Sequence, residues 1–269
     1  MYRPDFLKVC LSWLLNLLLC GLSLTAIAQT NSQPQVPKKP SHTDNRSKQT
    51  RNIQVKVPVK TLPGRRESGS VRRGSCISGD PALLALLLPP TNLGLTTAAH
   101  PQFFWYTPEN TAQRTQFSLY RIDEKSGQRT QVYNTTLKPS SKPSVTSLIL
   151  PTDAKIPPLE INQTYQWSVS IICDIQDTSP RSVITVDGWV QRIAVNQNLA
   201  NQLQRLSPTE RISVYAEQGL WFDLLSTVAE LRACNPSDTK LSEIWVTLLQ
   251  QVGLENIAQQ PLDQQCSRS

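Results

Sequence analysis

The chain has 269 residues, of which 39% are hydrophobic and 17% charged, with 27 Lys and Arg against 20 Asp and Glu for a net charge of +7. That length suits one sizeable domain or two small ones. The excess charge is local: residues 29–75 hold 11 basic and 2 acidic side chains, whereas residues 76–269 hold 14 basic and 17 acidic ones, which argues against a folded basic groove for nucleic acid.

Arg3 and Lys8 open the chain, an apolar run follows from Val9 to Leu24, and Ala26-Ile27-Ala28 precedes Gln29. A basic head, an apolar middle and small residues at the cleavage positions predict a signal peptide over residues 1–28, removed after Ala28. The 20 residues from Val9 to Ala28 are long enough for a membrane anchor, but Ser12, Asn16 and Ser23 interrupt them. Leu19 before Cys20 does not fit a lipid-modified cysteine, so Cys10 and Cys20 are expected to leave with the signal. The expected location is extracytoplasmic, in the periplasm or envelope, with no stable transmembrane helix after cleavage.

Residues 29–75 are rich in Pro, Ser, Thr, Gln and Lys, with sparse apolar residues such as Ile53, Val55, Val57 and Val59. Such a stretch buries too little to offset chain entropy. It is expected to be a disordered linker that attracts anionic envelope surfaces weakly and in a salt-sensitive way.

From Cys76 to Ala194, short apolar runs alternate with turn residues. Strands are predicted at Leu83–Leu88, Gln102–Tyr106, Gln116–Arg121, Gln131–Leu137, Val145–Leu150, Thr164–Cys173 and Val183–Ile193. About seven short strands separated by Pro- and Gly-bearing turns predict an antiparallel β-sandwich over residues 76–194. In Tyr165–Ile171 the odd positions are apolar and the even ones polar, so the odd ones share a buried face. Around Gly188 both parities carry apolar residues, which predicts packing on two sides or a bulge. Leu159, six residues before Tyr165, resembles the tyrosine corner of immunoglobulin- and fibronectin-like sandwiches. Trp105 and Trp167 are expected core partners. Both parities of Phe103-Phe104-Trp105-Tyr106 are apolar, which predicts a second buried contact against the following helices.

The period changes after residue 194. Ser207-Pro208-Thr209-Glu210 reads as a capped helix start. Ile212, Tyr215, Ala216 and Gly219 fall on one side of that helix. A second helix carries Trp221, Leu224, Leu225, Val228 and Leu231 at helical spacing. After Asn235-Pro236 a third carries Leu241, Ile244, Trp245, Leu248, Leu249 and Val252, and stops at Gly253. Residues 195–269 thus form a small α-helical region, and the fold class is α+β, mainly β. Tyr215, Gly219 and Pro236 resemble the turn-fixing positions of a single tetratricopeptide-type unit, although Leu225 stands where a small residue is usual. A plain helical hairpin fits equally well.

Four cysteines remain after the signal: Cys76, Cys173, Cys234 and Cys266. An even number in an exported chain implies disulfides. Cys76 before the first strand and Cys173 after the sixth lie at one end of such a sandwich, so Cys76–Cys173 and Cys234–Cys266 are predicted. In the loop-entropy model the first bridge contributes on the order of 4–5 kcal/mol. No Cys-x-x-Cys pair is present, and His42 and His100 are isolated, so no metal or cofactor is expected.

No nucleophile elbow, phosphate loop or metalloprotease helix is present. His100, before Pro101, reads as an exposed loop side chain. Acid pairs such as Asp174 with Asp187, or Asp123 beside Glu124, are what glycoside chemistry would use, but turn acids such as Asp174, Asp177 and Asp187 more often satisfy local backbone. No catalytic residue is assigned. A non-enzymatic binding or adaptor module is expected, with another envelope protein as partner. The alternatives are a surface protein tethered by its basic linker, or a carbohydrate-active enzyme.

Many short elements together carry a resemblance. They include Arg73-Gly74, Gly94-Leu95-Thr96-Thr97-Ala98, His100-Pro101, Phe104-Trp105, Tyr165-Gln166-Trp167, Gly188-Trp189-Val190-Gln191-Arg192, Tyr215-Ala216-Glu217 and Trp221-Phe222-Asp223. In order and spacing the chain from Arg73 onward resembles the cyanobacterial domain-of-unknown-function family 928. The resemblance implies an exported protein of sheets followed by helices, and no activity.

Overall fold

The computed structural model describes residues 53–69, 76–78, 83–152, 155–177 and 179–267. The predicted signal and the first part of the basic linker lie outside these residues. No described helix is long and apolar enough to cross a membrane.

Among the described residues, eleven strands and four helices are formed. The strands are β1 (Ile77–Ser78), β2 (Ala85–Leu86), β3 (Leu93–Thr96), β4 (Gln102–Thr107), β5 (Glu109–Asn110), β6 (Arg114–Ile122), β7 (Arg129–Leu137), β8 (Ser144–Ile149), β9 (Thr164–Ile172), β10 (Val183–Arg192) and β11 (Leu262–Asp263). The helices are α1 (Gln197–Arg205), α2 (Pro208–Gln218), α3 (Trp221–Cys234) and α4 (Thr239–Gln251). The seven predicted strands fall on β2, β4, β6, β7, β8, β9 and β10. Helix α1 was not expected, although Leu199, Ala200, Leu203 and Leu206 recur at helical spacing along one half-buried side.

A five-stranded sheet has the order β3-β10-β9-β6-β7, and a four-stranded sheet the order β11-β8-β4-β2. Most pairs are antiparallel, while β3–β10 and β8–β11 are parallel. The fold is therefore mainly β with four helices and mixed sheets. The sheets face each other through aromatic side chains. Phe103 of β4 lies 5.0 Å from Phe117 of β6 and 4.9 Å from Trp167 of β9. Phe117 also contacts Trp105, so both predicted tryptophans meet the same phenylalanine.

The helices cover the other side of β4. Phe104 makes an edge contact with Trp245 of α4, and all six β4 residues are buried. This is why that strand is apolar on both parities. Sheets and helices share one hydrophobic core, so the expected boundary near residue 194 separates two layers of a single compact unit.

The predicted helix start at Ser207 is a complete capping box with Glu210. Gly219 ends α2 in the left-handed region at φ 69°, with Leu220 N–H donating to Tyr215 O, a geometry glycine adopts without strain. The disulfides join Cys76 to Cys173 and Cys234 to Cys266. The Tyr165 hydroxyl accepts a hydrogen bond from Glu160 N at 2.9 Å, beside the buried Leu159.

Two expectations are corrected. Gly188 carries no bulge, since β10 pairs regularly with β9 from Val183 to Gln191. It is a glycine because a Cβ there would come within 2.2 Å of Leu88 Cδ1 and 2.9 Å of Asn92 Oδ1. The register shift lies instead between Leu119 and Tyr120, where β6 meets β7.

The second correction concerns residues 53–69, expected within the disordered linker. They form a strap along the folded body. Ile53 is buried, Lys56 N–H donates to Ala216 O, and Ser68 N–H donates to Leu84 O. The Arg66 guanidinium donates to Leu88 O on the sheet side and to Val252 O on the helix side, at 2.8 and 2.7 Å. The charge census missed this because a guanidinium that satisfies buried carbonyls is structural, and backbone pairing needs no apolar side chain.

The outer face of the five-stranded sheet is polar. One row across the strands is Asn134, Ser118, Ser168 and Asp187; the next is Thr136, Gln116, Ser170 and Thr185. A third places Gln131, Tyr120, Gln166 and Trp189 side by side. One face packed and one face wet is the ordinary state of an antiparallel sheet.

Candidate functional site at the seam of sheet and helices

Ionisable and aromatic side chains converge where the β3–β4 loop meets α2 and α3. A cavity of about 280 Å³ opens there, lined by Thr96, His100, Gln102, Tyr215, Phe222 and Asp223, with Ser226, Thr227 and the exposed Ile149 at its margin. A larger cavity of about 360 Å³ lies between the strap and α4, but its lining holds no ionisable side chain. The smaller one is therefore the candidate site.

Each wall has a local cause. Asp223 sits in the first turn of α3, where unpaired backbone N–H groups favour an acid. Phe222 beside it is fixed by the sheet core, with ring contacts to Phe103 and Trp167. Trp221 donates its indole N–H to Leu87 O at 2.7 Å, which sets the rotation of the helix. Asp223 then faces the loop, and its carboxylate accepts from Thr97 N at 3.0 Å and from the Thr97 hydroxyl. Arg192 holds the other side of that loop, donating to Thr97 O and Leu159 O.

Burial pushes the Asp223 carboxyl above its ordinary range, against the hydrogen bonds from Thr97 and Thr96 that pull it down. Burial also raises the Tyr215 hydroxyl, and the nearby Asp223 charge adds to this while Arg211 opposes it. His100 Nε2 is buried and has no hydrogen-bond partner. An orphaned ring nitrogen in the wall of a cavity that a buried carboxylate also lines is a place for a ligand's polar group, since leaving it unpaired is costly.

His100 thus lies in the cleft wall, where an exposed loop side chain was expected. Asp174 and Asp187, weighed as a pair in the sequence, are not brought together. Asp187 on β10 accepts from Gln166 Nε2 and Arg65 N. Asp174, beyond the other end of β9, turns back on its own loop to accept from Gln176 N. The register places them at least four residues apart along the sheet. Asp123 and Asp177 cap their own turns through Ser126 and Ser179, bonds that hold both carboxyls below the usual range. His42 lies outside the described residues.

Among the described residues, one cluster has the spacing of metal ligands: Glu230, Cys234 and Cys266. It is a structural clamp. The two sulfurs are joined to each other and are not thiolates. Glu230 already accepts from Gln264 Nε2, Ser267 N and Ser267 Oγ.

Sequence reasoning did not assemble the cleft, yet a signal was present. Thr96-Thr97, His100, Tyr215 and Asp223 all stand in stretches that carry the family resemblance. The family model described as Domain of Unknown Function (DUF928) matches residues 67–262. The chain belongs to this family. No curated protein and no solved structure matches it.

Proposed function

We propose that the protein is an exported, non-enzymatic binding module, and that the cleft at Asp223 and His100 receives a polar group of its ligand. The observation that carries this reading is that the unpartnered, buried Nε2 of His100 and the buried Asp223 carboxylate belong to residues lining one cavity. Tyr215 and Phe222 supply ring faces, so the fitting ligand is small and part polar, part apolar. Two disulfides and a signal-like start support work in an oxidising compartment. Another envelope protein then delivers or shares the ligand.

The strand order supports an immunoglobulin- or fibronectin-like reading of the sheets, with Tyr165 as the tyrosine corner. The α2–α3 hairpin with its glycine turn is compatible with a single tetratricopeptide-type unit.

The test is a thermal-shift screen of amino acids, amines, carboxylates and small sugars against the native chain and the variants Asp223→Asn and His100→Ala. At least one compound class should raise the native Tm, and both variants should weaken that response about tenfold or more. A screen with no response, or a response that both variants keep, removes the cleft from the reading. Fractionation, with the mature N-terminus at Gln29 and no free thiols, tests the compartment.

A further inference from the structure

The segment of residues 261–267 is held to the body by surface contacts and one covalent bond. None of its residues is buried, whereas Ile257 and Ala258 just before it belong to the core. Strand β11 is two residues long and lies on the outer edge of β8, parallel to Val145-Thr146. Val145 N–H donates to Pro261 O at 2.7 Å. Further on, Glu230 of α3 accepts from Gln264 Nε2 at 3.1 Å, Ser267 N at 2.9 Å and Ser267 Oγ at 3.0 Å. Such exposed hydrogen bonds exchange with water at little net gain, while every ordered residue loses backbone freedom. With none of the segment buried, the Cys234–Cys266 bond is what keeps it in place.

The two bridges differ in what they hold. Cys76 packs against the core and Cys173 is half-buried, and their bond spans 97 residues. Cys234 is exposed, and its bond spans 32 residues. Thiol–disulfide exchange needs access of an attacking thiolate to a sulfur, and a shorter loop constrains the unfolded chain less. Cys234–Cys266 is therefore the bridge able to open while the core stays folded. Glu230 suits either state. Cys234 Sγ lies 3.3 Å from Glu230 Oε1, one turn away on α3, so a Cys234 thiol has the acceptor that Ser267 N now uses. The segment also reaches the cleft. Gln102, in the cleft wall, donates through Nε2 to Gln264 Oε1 at 3.2 Å and to Ser147 Oγ at 2.9 Å. Gln264 thus joins the cleft wall to Glu230 and the bridge.

We propose that Cys234–Cys266 is a redox latch: a dithiol reductant opens it, residues 261–267 leave β8, and the Gln102 wall of the cleft is freed. In the opening step a thiolate of the reductant attacks the exposed Cys234 sulfur. A mixed disulfide forms, and Cys266 departs as a thiolate that takes up a proton. The second thiol of the reductant then attacks the reductant's own sulfur in that mixed disulfide and expels Cys234, which is protonated in turn. Two electrons and two protons pass to the chain, and the dithiol ends as a disulfide. Release bares the β8 edge at Val145 and leaves Gln102 without Gln264. The latch goes beyond the binding reading, because it is measured on the ligand-free chain and does not depend on what the cleft receives.

The experiment treats the intact chain with dithiothreitol in graded steps, blocks free thiols with iodoacetamide and maps the peptides. Cys234 and Cys266 should be alkylated about tenfold faster, or more, than Cys76 and Cys173. Where only the first pair has opened, hydrogen exchange should rise about tenfold or more across residues 261–267 and at Val145, with the five-stranded sheet unchanged. The Gln102 side-chain amide signal, assigned in nitrogen-labelled protein by its loss in Gln102→Ala, should shift. The double variant Cys234→Ser, Cys266→Ser should show both changes without reductant, and Gln264→Ala should shift the Gln102 signal with the bridge intact. The proposal is overturned if Cys76–Cys173 opens first or together with the other bridge. It is equally overturned if the opened chain keeps native exchange in residues 261–267, or if the Gln102 signal stays in place. A double variant whose five-stranded sheet loses protection would make the bridge part of the core, and also overturns it.

Discussion

Strands β4 and β7 belong to the same fold and have opposite fates. All six residues of β4 are buried, between the facing sheet on one side and α4 on the other. None of the nine residues of β7 is buried. The difference shows that the protein is layered from helix to sheet to sheet, with only the last layer exposing a face. That face is polar because, among the described residues, only the strap lies on it, along its β10 edge, whereas the four-stranded sheet gains a second apolar face wherever helices lie on it.

The comparison breaks most severely at Phe103, which joins both sheets and Phe222 of α3. Phe103→Ala should cost about 3–5 kcal/mol in urea unfolding, as for other buried aromatics. A loss under about 1 kcal/mol would mean that the layers do not share a core. Arg66→Ala removes charged hydrogen bonds that link the sheet and helix layers through the strap. A loss of about 1.5–3 kcal/mol is expected, with faster hydrogen exchange at Lys56 and Ser68. Gly188→Ala pushes a methyl group into Leu88 and Asn92 and should cost about 1–3 kcal/mol by overpacking.

Asp223 gives a smaller, pH-dependent effect. An acid whose folded-state value lies above its unfolded one binds protons more tightly in the fold. Stability then falls as pH rises from about 4 through the folded value. Asp223→Asn keeps an oxygen for Thr97 and has no charge to desolvate. Its stability relative to the native chain should therefore increase on going from acidic to neutral pH, read as urea midpoints. A native-minus-variant difference that is flat or rises with pH would contradict the burial of this carboxylate. The smallest effect belongs to the bare face: Thr185→Ala should change stability by no more than about 0.5 kcal/mol.

Much of the fold was legible in the order of residues. Period-two alternation placed β9, and period 3.6 placed α3 and α4, because each buries one continuous stripe. Ser207 and Glu210 announced α2 through local hydrogen bonds that need no tertiary partner. Double-parity apolar residues in β4 signalled a strand between two layers. The strap escaped because its contacts are backbone pairs and one guanidinium. Helix α1 escaped although Leu199, Ala200, Leu203 and Leu206 form a short stripe at helical spacing, which is only half-buried.

The chain by itself determined the alternating and helical stripes, the caps, the even set of cysteines and the concentration of basic charge before residue 76, all properties of near neighbours. Tertiary structure alone decided that Arg66 leaves that basic stretch to bridge two layers, and that His100 and Asp223, 123 positions apart, line one cleft. It also decided which sheet face is left bare. The physical reason is that hydrogen bonds and burial between distant segments depend on which surfaces meet, and local pattern does not encode that meeting.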